Sequence, residues 1–367
     1  MEETQRRVDE DPGEDYEGDA VAVAVFRAAT LENSYDTLRT ALMPTLFNGI
    51  VSHKFAENIC FLCGAEAAAG VESVEHVFPK WLQKAFHLRD ERVHLLNQTP
   101  IPYRNIVIPC CQTCNNVYLA KVEQQVKAHV LAGPEKAASI DRIVLMQWLL
   151  KLFFGLLYRE VFLPLDRKQP KAEMILAAKD MEQFQMLHYI LQSARIPMKF
   201  DSSGKFVPAS IFVFELKELA EQKLRFHYRD DVTRRCMQIR MGRVGILVAF
   251  DMGMQTIEGS EFFSEYFGRA LHPIQFDELA ANLFAKAGKL VRTPSLMFAE
   301  SPSGVTMTVM PPWSSPYEEM SMIDVANLLA LFTGLPVETL MPNPRQRITF
   351  LKKDNGTFRD IPIDMPL

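Results

Sequence analysis

The sequence has no apolar run long enough to cross a membrane. Its most apolar stretch, Ile143 to Tyr158, is 16 residues long and is interrupted by Gln147 and Lys151. A spanning helix needs about 20 largely apolar residues, so a buried core helix is expected there instead. Nor is there an excess of positive charge, since 40 Lys and Arg stand against 45 Asp and Glu. Global charge therefore does not mark a nucleic-acid binder, and any such partner has to be argued from a site. The first residues lack the basic start and apolar stretch of a secretory signal, and no internal repeat is apparent. A cytoplasmic setting is expected, with thiols kept reduced and clustered cysteines available to metal.

What is present is an ordinary globular composition, 48% apolar, which excludes wholesale disorder and collagen-like sequence. A length of 367 residues suggests two or three domains at about 150 residues each. Charge is unevenly placed. Residues 1–19 hold nine acids and two arginines and read as a disordered acidic tail, leaving a nearly neutral body.

Five of the six cysteines fall between positions 60 and 114. Cys60-Phe61-Leu62-Cys63 and Cys111-Gln112-Thr113-Cys114 are two CxxC pairs, able to present four thiolates to one structural Zn²⁺. The pairs are 48 residues apart, so something substantial sits between them, and Cys110 competes as a ligand. Between them lie Glu75-His76-Val77-Phe78-Pro79 and Asn105-Ile106-Val107-Ile108-Pro109, and Asn115-Asn116 follow the second pair. Adjacent strand residues point to opposite sides, so Glu75 and His76 can serve one site only at a strand end or turn, which Pro79 favours. A histidine titrating near neutrality can accept a proton from water, and a hard cation on oxygen ligands can neutralise phosphoryl charge.

CxxC, then Glu-His, then Asn, then CxxC-Asn resembles the zinc-bearing branch of the HNH endonuclease family, over about residues 55–130. The resemblance implies a ββα-metal core of two strands and a helix around one divalent cation, Mg²⁺ or Mn²⁺, and DNA cleavage to 5′-phosphate and 3′-hydroxyl ends. It makes His76 the general base and Glu75 a metal ligand, where Asp is usual. Asn105 takes the middle position, which orients the base or reaches the metal. Asn115 takes the place of the final histidine as second ligand, with Asn116 the alternative. Asn115 or Asn116 could equally cap a helix carrying Tyr118, Val122, Val126 and Val130, which Gly133-Pro134 stops. Glu123 on that helix reads as a solvated or structural acid.

A short helix from Pro79 is expected to turn Trp81, Leu82, Ala85 and Phe86 inward and to leave Lys80, Lys84 and His87 outside. Lys80 and Lys84 are candidate phosphate contacts. Residues 51–130 carry eight basic and seven acidic side chains, so the main grip on DNA is expected elsewhere. Helical patterns are expected at Ala20 to Ala29, Tyr35 to Leu46, a long helix capped by Ser139, Ala172 to Ser193, Phe276 to Ala287 and Ile323 to Phe332. Strands are expected at Ile211 to Leu216, Leu224 to Arg229, Met237 to Met241, Val244 to Phe250, Leu296 to Ala299, Val305 to Met310 and Ile348 to Leu351. Arg225, His227 and Arg229 alternate with Leu224, Phe226 and Tyr228 and read as a solvated basic sheet face before a nucleic-acid track. Cys236 reads as buried and inert.

The expected fold is α+β: a disordered tail (1–19), a helical extension (20–50), a zinc-stabilised ββα-metal module (51–135) and a larger C-terminal α+β part (136–367), helical to 200 and mixed beyond. The expected activity is metal-dependent DNA cleavage in restriction or antiviral defence. Two alternatives stand beside it: a non-catalytic zinc module binding nucleic acid or protein, and a nuclease activated by a ligand or partner at the C-terminal part. A homo-oligomer is left open.

Overall fold

The computed structural model describes residues 24–26, 46–50, 55–66, 73–166, 168–169, 173–201, 206–301, 303–310 and 312–364. The expected acidic tail, and the helical pattern at Tyr35 to Thr45, lie outside the described residues. Within Ala20 to Ala29 the structure differs from the helical expectation. Ala24–Phe26 is a strand, β1, pairing in parallel with β12 (Ser295–Ser301). Its Ala-Val-Phe sequence suits a strand once a neighbouring edge supplies hydrogen bonds, which periodicity cannot anticipate.

The chain is mixed α+β. Strand β2 (Ser73–His76) pairs antiparallel with β5 (Val107–Cys110), and between them lie helix α1 (Lys80–Ala85) and a hairpin of β3 (Arg92–His94) and β4 (Pro100–Pro102). After β5 a π-turn, Cys114–Leu119, opens into α2 (Ala120–Leu131), which buries Val122, Val126 and Val130. Gly133, at φ 106°, and Pro134 end that run and start α3 (Pro134–Ala138).

Helix α4 (Arg142–Glu160) is the apolar stretch anticipated from the sequence, and it is buried on nearly every side. Its cap is Asp141, not Ser139. The Asp141 carboxylate accepts from the backbone N–H of Ile143 at 2.9 Å and of Val144 at 3.0 Å, whereas the Ser139 hydroxyl bonds back to the Lys136 carbonyl. Gly155 sets how close α4 comes to the β2–β5 pair: a Cβ there would lie 3.1 Å from Val77 and 3.3 Å from Ile108. Lys151, four residues earlier, lies on the same helix face and reaches the same strands.

Residues 172–193 form less helix than expected: a 3₁₀ segment over Ala178–Phe184 precedes α5 (Gln185–Leu191). Beyond, β6 (Met198–Lys199) joins a four-stranded sheet in the order β1-β12-β13-β6, where β13 is Gly304–Met310. A five-stranded sheet runs β11-β7-β10-β9-β8, from Ala270–Leu271 (β11), Ser210–Leu216 (β7), Phe226–Asp231 (β8), Cys236–Met241 (β9) and Val244–Ala249 (β10). Its central strand β10 is buried throughout because both faces are covered. One face joins the core of the zinc-side elements and α4; the other packs beneath α7 (Pro273–Ala287) and α8 (Met322–Thr333), which follow α6 (Met254–Ser264). Residues on both sides of position 135 thus share one buried cluster. Ile348 to Leu351 form no strand; the Ile348 N–H bonds instead to the Leu340 carbonyl.

The basic face of β8 is not solvated. Arg229 donates to Gln238 and to Asp277 of α7 and lies 4.0 Å over the Phe332 ring of α8, because two helices cover that side of the sheet. Cys236 is fully buried, as expected. Among the described residues no helix is long and apolar enough to cross a membrane.

Candidate metal centre and adjoining cleft

The first CxxC turns on Gly64, whose φ of +73° is easy only for glycine. There the Gly64 N–H bonds the Cys60 carbonyl, and the Phe61 N–H bonds the Pro109 carbonyl of β5. That clamp brings the first pair to the second. Cys111 and Cys114 sit at the start of the π-turn, where the Cys114 N–H donates to the Cys111 sulfur at 3.4 Å. The four Sγ atoms of Cys60, Cys63, Cys111 and Cys114 all lie within 4.8 Å of one another, a cluster that could hold zinc. Zn–S bonds of about 2.3 Å in a tetrahedron put sulfurs about 3.8 Å apart; Cys63 and Cys111 stand at 3.7 Å. Cys110 does not join the cluster. It is still part of β5 and is buried beside Cys60. Thiols of Cys110, Cys114 and Cys63 together hold Cys60 well below the ordinary thiol range.

The first pair is also buttressed from α5. His188 is buried, its Nε2–H donates to the Phe61 carbonyl at 2.8 Å, and its ring stacks on Phe154 at 4.8 Å. Burial pushes its pKa down to about 4. An unfolded chain takes up that proton near 6.5, so stability present above pH 6.5 is lost as pH falls toward 4, by about 3 kcal/mol. In His188→Gln, which cannot titrate there, urea denaturation between pH 7 and pH 4.5 should show a visibly flatter loss. An unchanged slope would show that another group carries it.

Strand β2, the start of α1, the π-turn and α2 enclose a cleft of about 380 Å³, whose lining includes Glu75, His76, Asn115, Asn116, Glu123 and Lys127. Lys80 stands at its edge. His76 is the last residue of β2, and that strand-end position lets Glu75 and His76 border the same space. Burial, then Lys80 and Lys151, lower the His76 pKa and favour the neutral imidazole. Its Nδ1 is buried without a hydrogen-bond partner among the described residues. The Asn115 amide N–H₂ donates to the Val74 carbonyl at 3.1 Å and to Ser73 Oγ at 3.4 Å, which leaves its carbonyl oxygen for the cleft. Asn116 is exposed.

The structure does not bring Asn105 into this group. It lies exposed in a 3₁₀ turn, Tyr103–Asn105, that leads into β5 and does not line the cleft. Lys84 is exposed on α1, one turn beyond Lys80, and does not line it either. The outward face of α1 is otherwise as expected, although the helix stops at Ala85 and His87 takes a left-handed φ of 57°.

Sequence reasoning misses three participants: Lys151, Glu123 and Lys127. Lys151 is 1% exposed, and its ammonium pairs with Glu75, donates to Glu123 Oε1 at 2.5 Å and donates to the His76 carbonyl at 2.7 Å. Burial opposes its charge, but the Glu123 and Glu75 carboxylates outweigh that and raise its pKa. Glu75 itself is pushed up to about 7, by burial against the pull of Lys151. A lone lysine in a core helix gives no sign in the sequence of which carboxylates it meets. The i to i+7 spacing of Asn116 and Glu123 is the one available signal that Glu123 shares the face with the asparagines.

Glu75, Glu123 and the amides of Asn115 and Asn116 offer oxygen donors in a lining that also carries Lys80 and Lys127. Such an all-oxygen donor set fits a hard cation such as Mg²⁺ or Mn²⁺ better than a soft one. No protein-family model, curated protein or solved structure matches the chain.

Proposed function

We propose that the chain is a metal-dependent endonuclease of the HNH type that hydrolyses DNA phosphodiester bonds. The observation that supports this best is the His76 imidazole, its Nδ1 without a hydrogen-bond partner among the described residues, in a cleft shared with Glu75 and Asn115 beside a four-cysteine cluster. In this reading His76 takes the proton of the attacking water. Glu75 and Asn115, with Asn116 at the mouth, would hold Mg²⁺ or Mn²⁺, which supplies charge neutralisation at the phosphoryl oxygens. Lys80 and Lys127 at the rim, and Lys84 one turn further on, receive neighbouring phosphates. Asn105, outside the cleft, takes no role. Defence against foreign DNA is the setting such an activity would suit.

One observation favours a second reading, a zinc module that binds without chemistry: Glu75 is only 6% exposed and already carries an ammonium partner. Supercoiled plasmid with Mg²⁺ or Mn²⁺ separates the two. The chain should nick or linearise it, leaving ligatable 5′-phosphate ends. His76→Ala should slow cutting by roughly 10²–10⁴-fold, with zinc content and melting temperature unchanged because the side chain is only half buried. Since the His76 pKa is lowered, activity should persist below pH 6.5 and fall only as the imidazole protonates. Equal cutting by variant and parent would refute the base.

A further inference from the structure

A groove of about 630 Å³ lies between the β3–β4 hairpin and β8, apart from the cleft that holds His76. Residues 91–94 line one wall and 226–230 the other without a gap. Consecutive strand residues alternate sides, so an unbroken run can border one space only along the strand's edge. Both strands are edges here: β3 pairs only with β4, and β8 only with β9, among the described residues. The groove is thus walled by backbone N–H and C=O groups that have no strand across from them.

Its floor is aromatic. Phe226 of β8 sits 5.9 Å from Phe86 and 5.8 Å from Tyr103, which closes the bottom between the two walls. Its rim is basic. Arg92 and Lys223 are exposed, and neither has an ion pair among the described residues; His87 and His94 stand beside them. Of the two acids, Glu91 is exposed, while Asp230 is tied to the Tyr228 hydroxyl at 3.1 Å and pushed by burial up to about 6. Deeper in, His227 Nε2 is buried without a partner among the described residues, and burial together with Arg229 and Arg240 lowers the pKa of that ring.

We propose that this groove binds a free nucleotide, with its base on the aromatic floor against the two strand edges and its phosphate at Arg92 and Lys223. Each part of the groove answers one part of that ligand. Planar rings stack on a base, fixed backbone donors and acceptors read its edge, and a basic rim takes the phosphate. The volume is that of small-molecule sites, about 300–1,000 Å³, and the closed floor and paired walls suit a detached nucleotide better than a continuing strand. An acidic peptide would use the rim but leave the floor unused.

The test uses the full chain carrying His76→Ala, so its outcome is independent of the nuclease reading. Isothermal titration with the four ribonucleoside 5′-monophosphates, the four triphosphates, inorganic phosphate and a 12-nucleotide single-stranded DNA (about the span of a strand-binding groove) compares the sources. At least one free nucleotide should bind saturably and more tightly than phosphate alone. Arg92→Ala with Lys223→Ala, both at exposed positions, should weaken it at least about tenfold, and Phe86→Ala should weaken it without altering the response to phosphate. Absence of saturable binding by every nucleotide would overturn the proposal. So would binding that the double variant leaves intact, or binding confined to the DNA strand.

Discussion

Stripping zinc from the four-cysteine site should unfold the region around both CxxC turns, and it is the largest change in stability expected for this chain. The physical reason is charge. Four sulfurs within 4.8 Å can all ionise only around a cation, and structural zinc contributes about 10–16 kcal/mol in apparent binding free energy. Without it the neighbouring thiols must hold their protons between them, and the clamp from the Phe61 N–H to the Pro109 carbonyl is left to hold two loops together. Elemental analysis should find about one zinc per chain, and Cys63→Ser or Cys114→Ser should lose it. Limited proteolysis after chelation should cut between residues 55 and 66 and near Cys111. The face of the five-stranded sheet beneath α7 and α8 should remain protected, because its buried cluster contains none of the four ligand cysteines. Cys110→Ser, outside the cluster, should keep its zinc. A chain that binds no zinc, or that resists protease equally after chelation, would show the cysteines to be ordinary buried thiols.

Lys151→Met is expected to cost about 3–5 kcal/mol, since removing one partner of a buried ion pair strands the other charges. Here two carboxylates, Glu75 and Glu123, and the His76 carbonyl lose their shared donor at once. Methionine fills the space along α4 but offers no hydrogen bond, so Glu75, already raised to about 7, should take up a proton at neutral pH. Urea denaturation checks the stability. Adding Glu123→Gln to Lys151→Met restores the charge balance and should recover part of the loss, whereas Glu123→Gln alone should be milder. Cleavage, if the nuclease proposal holds, should fall further than stability explains, because the backbone of the base-bearing residue is anchored by that ammonium. Wild-type stability in Lys151→Met would mean that water solvates the carboxylates and that the contact does little.

Several local features are legible in the order of residues alone. The two CxxC pairs, the core helix through Trp148 and the strands from Ile211 to Phe250 rest on short-range spacing, and the structure places them within a few residues of expectation. The gathering of Glu75 and His76 with Asn115 round one cleft is what the family resemblance implied, since spacing alone does not join positions some forty residues apart. Other features are not legible, and for one kind of reason. The exclusion of Asn105 depends on a 3₁₀ turn inserted ahead of β5. The strand at Ala24–Phe26 exists only because the edge of β12 accepts it.

By itself, then, the sequence determined the ligand types, the thiol spacing and the apolar character of α4, because these are properties of neighbouring residues. Only the tertiary structure decided that Lys151 meets Glu75, Glu123 and the His76 carbonyl, that α7 and α8 cover Arg229, and that two strand edges face one groove. Each of those is a contact between residues dozens of positions apart. Each depends on how closely packed surfaces approach, such as α4 on the β2–β5 pair at Gly155, and spacing along the chain carries no record of that distance.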